Sequence, residues 1–153
     1  MTHAAITGWG KCLPASILTN ADLATFLDTN DEWITSRTGI SERRISHVGL
    51  DELCYVAAMR ALAAAGLDPA DVELIVIGSC SFDDQVPNQA SGLQVRLGAK
   101  RAASYDVNTA CTSFLYALST ANALVRTGVV KNAVVVGAEV ISAFMDWDNR
   151  GVC

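Results

Sequence analysis

Five cysteines, Cys12, Cys54, Cys80, Cys111 and Cys153, are the side chains of this 153-residue chain best suited to covalent chemistry. Their number is odd and none forms a C-x-x-C pair, so neither a disulfide framework nor a zinc site is indicated. A reducing, cytoplasmic setting is the expectation that follows. Cys111 stands out by position, because the run Tyr105-Asp106-Val107 reads as a strand and Phe114 onward reads as a helix. A thiol at such an elbow faces unsatisfied backbone N–H groups and the positive end of the helix dipole, which favour thiolate over thiol. The same N–H groups could hold the oxyanion formed when that thiolate attacks a carbonyl. The competing reading is that a free cysteine is a small buried hydrophobe, which holds for most cysteines.

Cys80 serves as an internal comparison. It also follows an apolar run, but Asp83 and Asp84 come next, and nearby carboxylates favour the neutral thiol. Cys54 falls within a helical pattern, Cys12 in a turn and Cys153 at the last position. A cysteine nucleophile usually needs a proton acceptor. The two histidines, His3 and His47, follow no strand and read as solvent-exposed, so no base for Cys111 is evident in this chain.

The elements that must position these residues are legible in outline. Ala4 to Gly8 is expected to be a strand, ending in a turn over Gly10 to Pro14. Thr19 or Asn20 is expected to cap a short helix through Leu27, and Thr29 or Asn30 a second one that presents Trp33 and Ile34. Asp51 can cap a longer helix with an apolar stripe of Leu53, Ala57, Ala61, Ala64 and Ala65. Leu74-Ile75-Val76-Ile77, Ala102 to Val107 and Val134-Val135-Val136 read as strands. Helices alternate with them, from Pro87 toward Leu97 and from the elbow to about Thr127, the latter with Phe114, Leu118, Ala121 and Val125 on one face. Apolar strands separated by helices make an α/β fold, with a sheet at least partly parallel and covered on both faces. In such sheets ligand chemistry gathers at the carboxyl ends of the strands, which selects the segments around Cys80 and Cys111.

Composition narrows the function class. Apolar residues make up 51% and charged residues 18%, against about 25% charged in a typical soluble domain. A disordered chain is thereby excluded, and the surface this chain must cover for itself is expected to be small. The net charge is −5 and the pI about 4.8, so no global basic field draws it to nucleic acid or an anionic membrane. The charge-free stretch Val107 to Val125 is broken by Asn108, Thr109, Thr112, Ser113, Ser119, Thr120 and Asn122, and therefore reads as a buried helix rather than a membrane span.

Taken in order, the motifs resemble the beta-ketoacyl-acyl carrier protein synthase III family, condensing enzymes with the thiolase fold. Ile6-Thr7-Gly8-Trp9-Gly10-Lys11-Cys12-Leu13-Pro14 is similar to the family's opening. Thr19-Asn20-Ala21-Asp22-Leu23 is similar to its next motif. Asp31-Glu32-Trp33-Ile34 with Arg37-Thr38-Gly39-Ile40 and Arg43 is the most specific run before the nucleophile. Ala64-Ala65-Gly66-Leu67 leading into Leu74-Ile75-Val76 fits, and Asp106-Val107 through Ala110-Cys111 to Phe114 resembles the nucleophile motif. The resemblance implies the N-terminal half (residues 1–153) of a layered α-β-α-β-α fold with a mixed, largely parallel sheet. It implies a homodimer in which the nucleophile helix lies in the middle layer.

The same resemblance implies a two-step acyl transfer. The cysteine at 111 takes an acyl group from acyl-coenzyme A; malonyl-acyl carrier protein then loses carbon dioxide, and its enolate attacks the acyl-enzyme to give a 3-oxoacyl thioester. Acyl-CoA and acyl carrier protein are the implied partners, with no cofactor beyond the coenzyme A thioester as substrate. The His–Asn pair that stabilises the enolate belongs to the family's second half, so the chain alone is expected to be inactive. For coenzyme A, Trp33 matches a tryptophan stacked on the adenine, Arg150 the arginine on its other face, and Thr29 and Arg37 further nucleotide contacts. Read without the resemblance, Trp33 is a packing aromatic, and Arg37 with Arg43-Arg44 a solvated basic cluster. Val86 falls where the family places a dimer-mate residue at the end of the acyl pocket, and its small size suggests primers longer than acetyl. Thr109 and Ser113 depart from the family's Ala and Gly, and Asn149-Arg150-Gly151 from its Asp-Arg-Gly. Two other readings stay open: a non-catalytic fragment that dimerises or binds a carrier, and a degradative thiolase, which would use a second, later cysteine.

Overall fold

A computed structural model describes residues 3–153. The chain divides into two compact units, one containing the chain up to Cys12 with Val48–Glu139, the other Leu13–His47 with Val140–Cys153.

The first unit is built on three parallel strands, β3 (Leu74–Gly78), β4 (Ala103–Val107) and β5 (Val134–Gly137), which follow β1 and β2 of the second unit in chain order. The strand order is β4-β3-β5, with Gly78 opposite Val107 on one side and Gly137 on the other. Every residue of β3 is buried, as the unbroken apolar run Leu-Ile-Val-Ile requires of a central strand covered on both faces. Helix α3 (Leu50–Ala65) precedes β3, α4 (Gln89–Leu97) connects β3 to β4, and α5 (Ser113–Arg126) connects β4 to β5. Leu74 and Val76 pack with Ala117 and Ala121 of α5; alternation along the strand sends Ile75 and Ile77 to the opposite face. Because the chain passes from β3 to β4 and then back across β3 to β5, the loops after β3 and β4 leave the sheet in opposite directions. That is the crevice in which α/β sheets place their ligand chemistry.

The second unit pairs β1 (Ser16–Thr19) with β2 (Glu42–Ile45) antiparallel, and carries α1 (Asn20–Leu23) and α2 (Asp31–Thr38) between them. Thr19 caps α1 in a reciprocal box with Asp22, whose carboxyl is held below its ordinary range by the Thr19 hydrogen bonds. Leu23, Leu27 and Ile34 form its core, with Trp33, Trp147 and Val152 packed around them.

Several expectations are corrected. Ala4–Gly8 forms no strand; both sides of β3 are taken by β4 and β5, and the segment lies instead against α3. A Cβ built on Gly8 or Gly10 would sit 2.3 Å from the carbonyl oxygen of Ala61 or Ala57, so only glycine permits that approach. The antiparallel pair β1–β2 has no alternating apolar signal, since Glu42-Arg43-Arg44 reads as solvated charge and the two strands are remote in sequence. Helix α1 stops at Leu23 rather than Leu27. Asp51 is not the cap of α3: Gly49 holds that position without a side-chain bond, and Asp83 accepts from the Leu50 N–H at 2.9 Å. The buried stripe of α3 is Leu50, Leu53, Cys54, Ala58 and Leu62, rotated from the expected one because the small Ala57 and Ala61 positions receive the glycine segment. On α5 the buried line is Ser113, Ala117 and Ala121; Phe114 is 43% exposed because the close strand-to-helix approach admits only small side chains. No helix among the described residues is long and apolar enough to cross a membrane.

Candidate active site

Cys111 lies in a single 3-10 turn, Ala110–Thr112, between β4 and α5. The turn is entered through Ala110 at φ +51°, a left-handed conformation that costs a non-glycine residue about 1 kcal/mol. Such strain persists only where the surroundings fix it, and here the fixing groups are visible. The Ser113 hydroxyl donates to the Ala110 carbonyl at 2.7 Å and accepts from the Thr109 N–H at 2.9 Å. The Thr112 hydroxyl donates to the Thr109 carbonyl at 2.8 Å. The Ser113 side chain is thus a tie within the elbow, and the Thr109 hydroxyl adds another by accepting from that of Thr112 at 3.2 Å. Beneath it, a Cβ on Gly78 would fall 2.6 Å from the Ser113 carbonyl carbon, and one on Gly137 2.9 Å from the Phe114 ring. The paired glycines at the ends of β3 and β5 let the start of α5 rest directly on the sheet, and so set the height of the elbow.

The Cys111 side chain is exposed and lines a groove of about 1180 Å³ bounded by residues 3–10, α3, α5 and β5. Glu139, in the segment after β5, lines the same groove. Its carboxylate accepts from the Cys80 N–H at 2.8 Å, the Ser79 hydroxyl at 3.2 Å and the Ser81 hydroxyl, and takes the Cys80 thiol at 3.6 Å. Sequence reasoning missed Glu139, because it lies far from both cysteines along the chain. The thiol of Cys80 is pushed up, first by burial and then by the Glu139 charge. The direction agrees with the sequence reading, but the cause differs: Asp83 is occupied at the α3 N-terminus. Cys54 is buried, its thiol raised to about 12 by burial and the charges of Asp106, Asp51 and Asp83. His47 is exposed and pairs with the Ser16 hydroxyl at 2.7 Å.

In the second unit the sequence-selected residues Trp33, Arg37 and Arg150 come together. The guanidinium carbons of Arg37 and Arg150 lie 4.3 and 4.5 Å from the Trp33 ring centroid, within cation–π range. Trp33 is held there because Asn30 caps α2 through the Trp33 N–H at 2.8 Å. The neighbouring Ile34 is fully buried. Buried Asn20 ties Asp31 and the Ile40 carbonyl at 2.7 and 2.8 Å, fixing both ends of α2. Arg150 also donates to the Asp28 carbonyl at 3.3 Å. The Thr29 hydroxyl oxygen is buried without a hydrogen-bond partner among the described residues, which marks it as a group available to a ligand. Val86 is 90% exposed, in the loop before α4.

Comparisons with known proteins agree with this architecture. Residues 105–153 match the family model for 3-oxoacyl-(acyl-carrier-protein) synthase III. The chain is 52% identical over 148 residues to beta-ketoacyl-(acyl-carrier-protein) synthase III 2 of Vibrio cholerae, covering 97% of this chain and 41% of that protein. It is 45% identical to the beta-ketoacyl-(acyl-carrier-protein) synthase III of Laribacter hongkongensis, covering 100% of this chain and 49% of that one. The crystal structure of 3-oxoacyl-(acyl-carrier-protein) synthase III from Aquifex aeolicus superposes with a TM-score of 0.94 at 40% identity, over 97% of this chain and 48% of that one. The chain thus spans about half the length of these relatives. Over nearly its whole length the chain is similar, in sequence and in its thiolase-like fold, to beta-ketoacyl-(acyl-carrier-protein) synthase III proteins.

Proposed function

We propose that this chain supplies the acyl-accepting cysteine and the nucleotide-binding surface of a condensing acyltransferase that starts fatty-acid chains. The observation that carries the reading is the strained elbow at Ala110, which presents an exposed Cys111 thiol at the entry to α5 and over a groove. In the first step the Cys111 sulfur bonds to the carbonyl carbon of an acyl-CoA. The carbon–sulfur bond to coenzyme A breaks, and coenzyme A leaves with the proton that Cys111 gives up. In the second step the carbanion left when malonyl-acyl carrier protein loses carbon dioxide attacks the acyl-enzyme. This forms 3-oxoacyl-acyl carrier protein and returns Cys111.

The adenine of coenzyme A takes a place on the Trp33 indole, where guanidinium groups now stack, with Arg37, Arg150 and the unpaired Thr29 hydroxyl as polar partners. Cationic planes and an indole suit a flat heteroaromatic bearing phosphate. Val86 borders the acyl pocket of a homodimer mate, and its small side chain favours primers longer than acetyl. That preference also fits a relative acting in secondary metabolism.

Incubation with acyl-CoA followed by peptide mass spectrometry tests the reading. One acyl group is expected on Cys111, none after Cys111→Ala. Trp33→Ala should raise the acyl-CoA concentration for half-acylation about tenfold, the worth of one stacked aromatic. Acylation of Cys80 or Cys54 before Cys111 would overturn the assignment.

A further inference from the structure

Two exposed thiols stand at the carboxyl ends of neighbouring parallel strands, Cys80 after β3 and Cys111 after β4. Among the described residues, Cys80 is the one of the two whose thiol is hydrogen-bonded, to Glu139. The Ser79 N–H donates to the Val107 carbonyl at 3.1 Å, continuing the β3–β4 ladder one step beyond the strands. From there the loop turns so that Ser79, Cys80 and Ser81 all direct donors at Glu139. Ser79 and Ser81 are fully buried, and the Ser81 N–H closes the turn onto the Ser79 hydroxyl at 3.0 Å. A single carboxylate therefore organises three consecutive residues of the loop, and it sits on the wall of the groove that Cys111 lines.

We propose that Glu139 is a positioning residue for the Cys111 site, acting through Cys80: it holds the Cys80 thiol protonated and turned aside, so that Cys111 alone of the pair accepts an acyl group. The physical reason is that a carboxylate at hydrogen-bond distance from a thiol stabilises the S–H form and opposes a second negative charge beside it. The thiolate is the nucleophile, so a thiol held protonated does not compete. The Cys80 N–H bond to the same carboxylate fixes the backbone from which the thiol projects, and so keeps the thiol within reach of Glu139. The elevated Cys80 thiol agrees with the arrangement. Nothing in acyl transfer at Cys111 consumes Glu139, and no bond to it forms or breaks. Glu139 therefore acts on selectivity between two sulfurs rather than on the reaction itself.

The proposal rests on the reading of Cys111 as acyl acceptor, and one part of its test does not. The chain and its Glu139→Gln and Glu139→Asp variants are treated with iodoacetamide at pH 7 to 10, and each cysteine is followed by peptide mass spectrometry. In the unaltered protein Cys80 should lag Cys111 at least tenfold at pH 8. Glu139→Gln should close that gap by about tenfold, the effect of one unit in thiol ionisation, and Glu139→Asp should restore most of it. Parallel incubation with acyl-CoA should give label on Cys111 alone, with Cys80 acylated as well only in Glu139→Gln. Adding Cys80→Ser to that variant should return a single labelled site. Equal alkylation of the two cysteines in the unaltered protein would overturn the proposal, and requires no variant to fold. An unchanged ratio in a Glu139→Gln protein with normal circular dichroism would overturn it too. Acylation absent from Cys111 while the alkylation ratio responds as stated would instead sink the acyltransferase reading and leave the role of Glu139 standing.

Discussion

Cys54 shows how burial, helped by neighbouring negative charge, silences a thiol. With no exposed surface and three carboxylates contributing, its thiol is raised from 9.0 to about 12. A thiol whose folded value is raised stabilises the fold fully below the unfolded value and loses that contribution as pH rises toward the folded one. Relative to Cys54→Ala, the unfolding free energy should therefore fall by roughly 1 kcal/mol per pH unit between 9.0 and about 12. Urea titrations at several alkaline pH values measure this, and parallel slopes for the two proteins would refute it. Ser113 illustrates the opposite case, a polar group buried for a purpose. It holds the elbow at both Thr109 and Ala110, so Ser113→Ala should cost about 1 kcal/mol in urea unfolding by removing those hydrogen bonds.

At the scale of elements, the site depends on how closely a helix can approach a sheet. The strand-to-helix turn could not sit where it does if β3 ended in any residue larger than glycine, because a Cβ at Gly78 would overlap the Ser113 backbone at 2.6 Å. Backbone cannot rotate away as a side chain can. Gly78→Ala should therefore destabilise the chain by about 1–3 kcal/mol and slow acylation of Cys111 more than the stability loss explains, since the elbow itself must move. Equal acylation rates at temperatures where both proteins are folded would count against this. Helix α3 offers a test without the site: Asp83 supplies its missing cap from a distant loop, so Asp83→Ala should cost about 1 kcal/mol of thermal stability. Asp51→Ala, in the position favoured by local sequence, should cost less.

At the scale of the whole molecule, apolar surface is left open. In the first unit the helix that carries the site buries Ser113, Ala117 and Ala121, while Phe114, Leu115 and Tyr116 are 43%, 64% and 58% exposed. A charge-free run with large apolar groups outward is unusual for a surface helix, which normally puts charge there. The composition that looked excessive for one domain has this as its structural counterpart. The chain by itself should bind a hydrophobic dye such as anilinonaphthalene sulfonate, and Leu115→Lys should weaken that signal without lowering the melting temperature. A dye signal no greater than that of an ordinary folded domain would contradict the exposure.

Much of this was determined by the sequence alone. The continuous apolar run Leu74–Ile77 forced β3 into the middle of a covered sheet, and the strand-to-helix spacing around Cys111 singled it out among the cysteines. Those are local signals, carried by neighbouring residues. Trp33, Arg37 and Arg150 were picked out by the family resemblance and not by their spacing, whereas the meeting of both guanidinium groups on the Trp33 ring required the fold. The tertiary structure decided what depends on residues remote along the chain. It set Glu139 against Cys80, gave Asp83 rather than Asp51 the capping of α3, paired charged β2 with β1, and placed the opening glycines against a helix instead of in the sheet. Each of these turns on a hydrogen bond or a steric approach between distant segments, and composition and periodicity do not encode which distant partner wins.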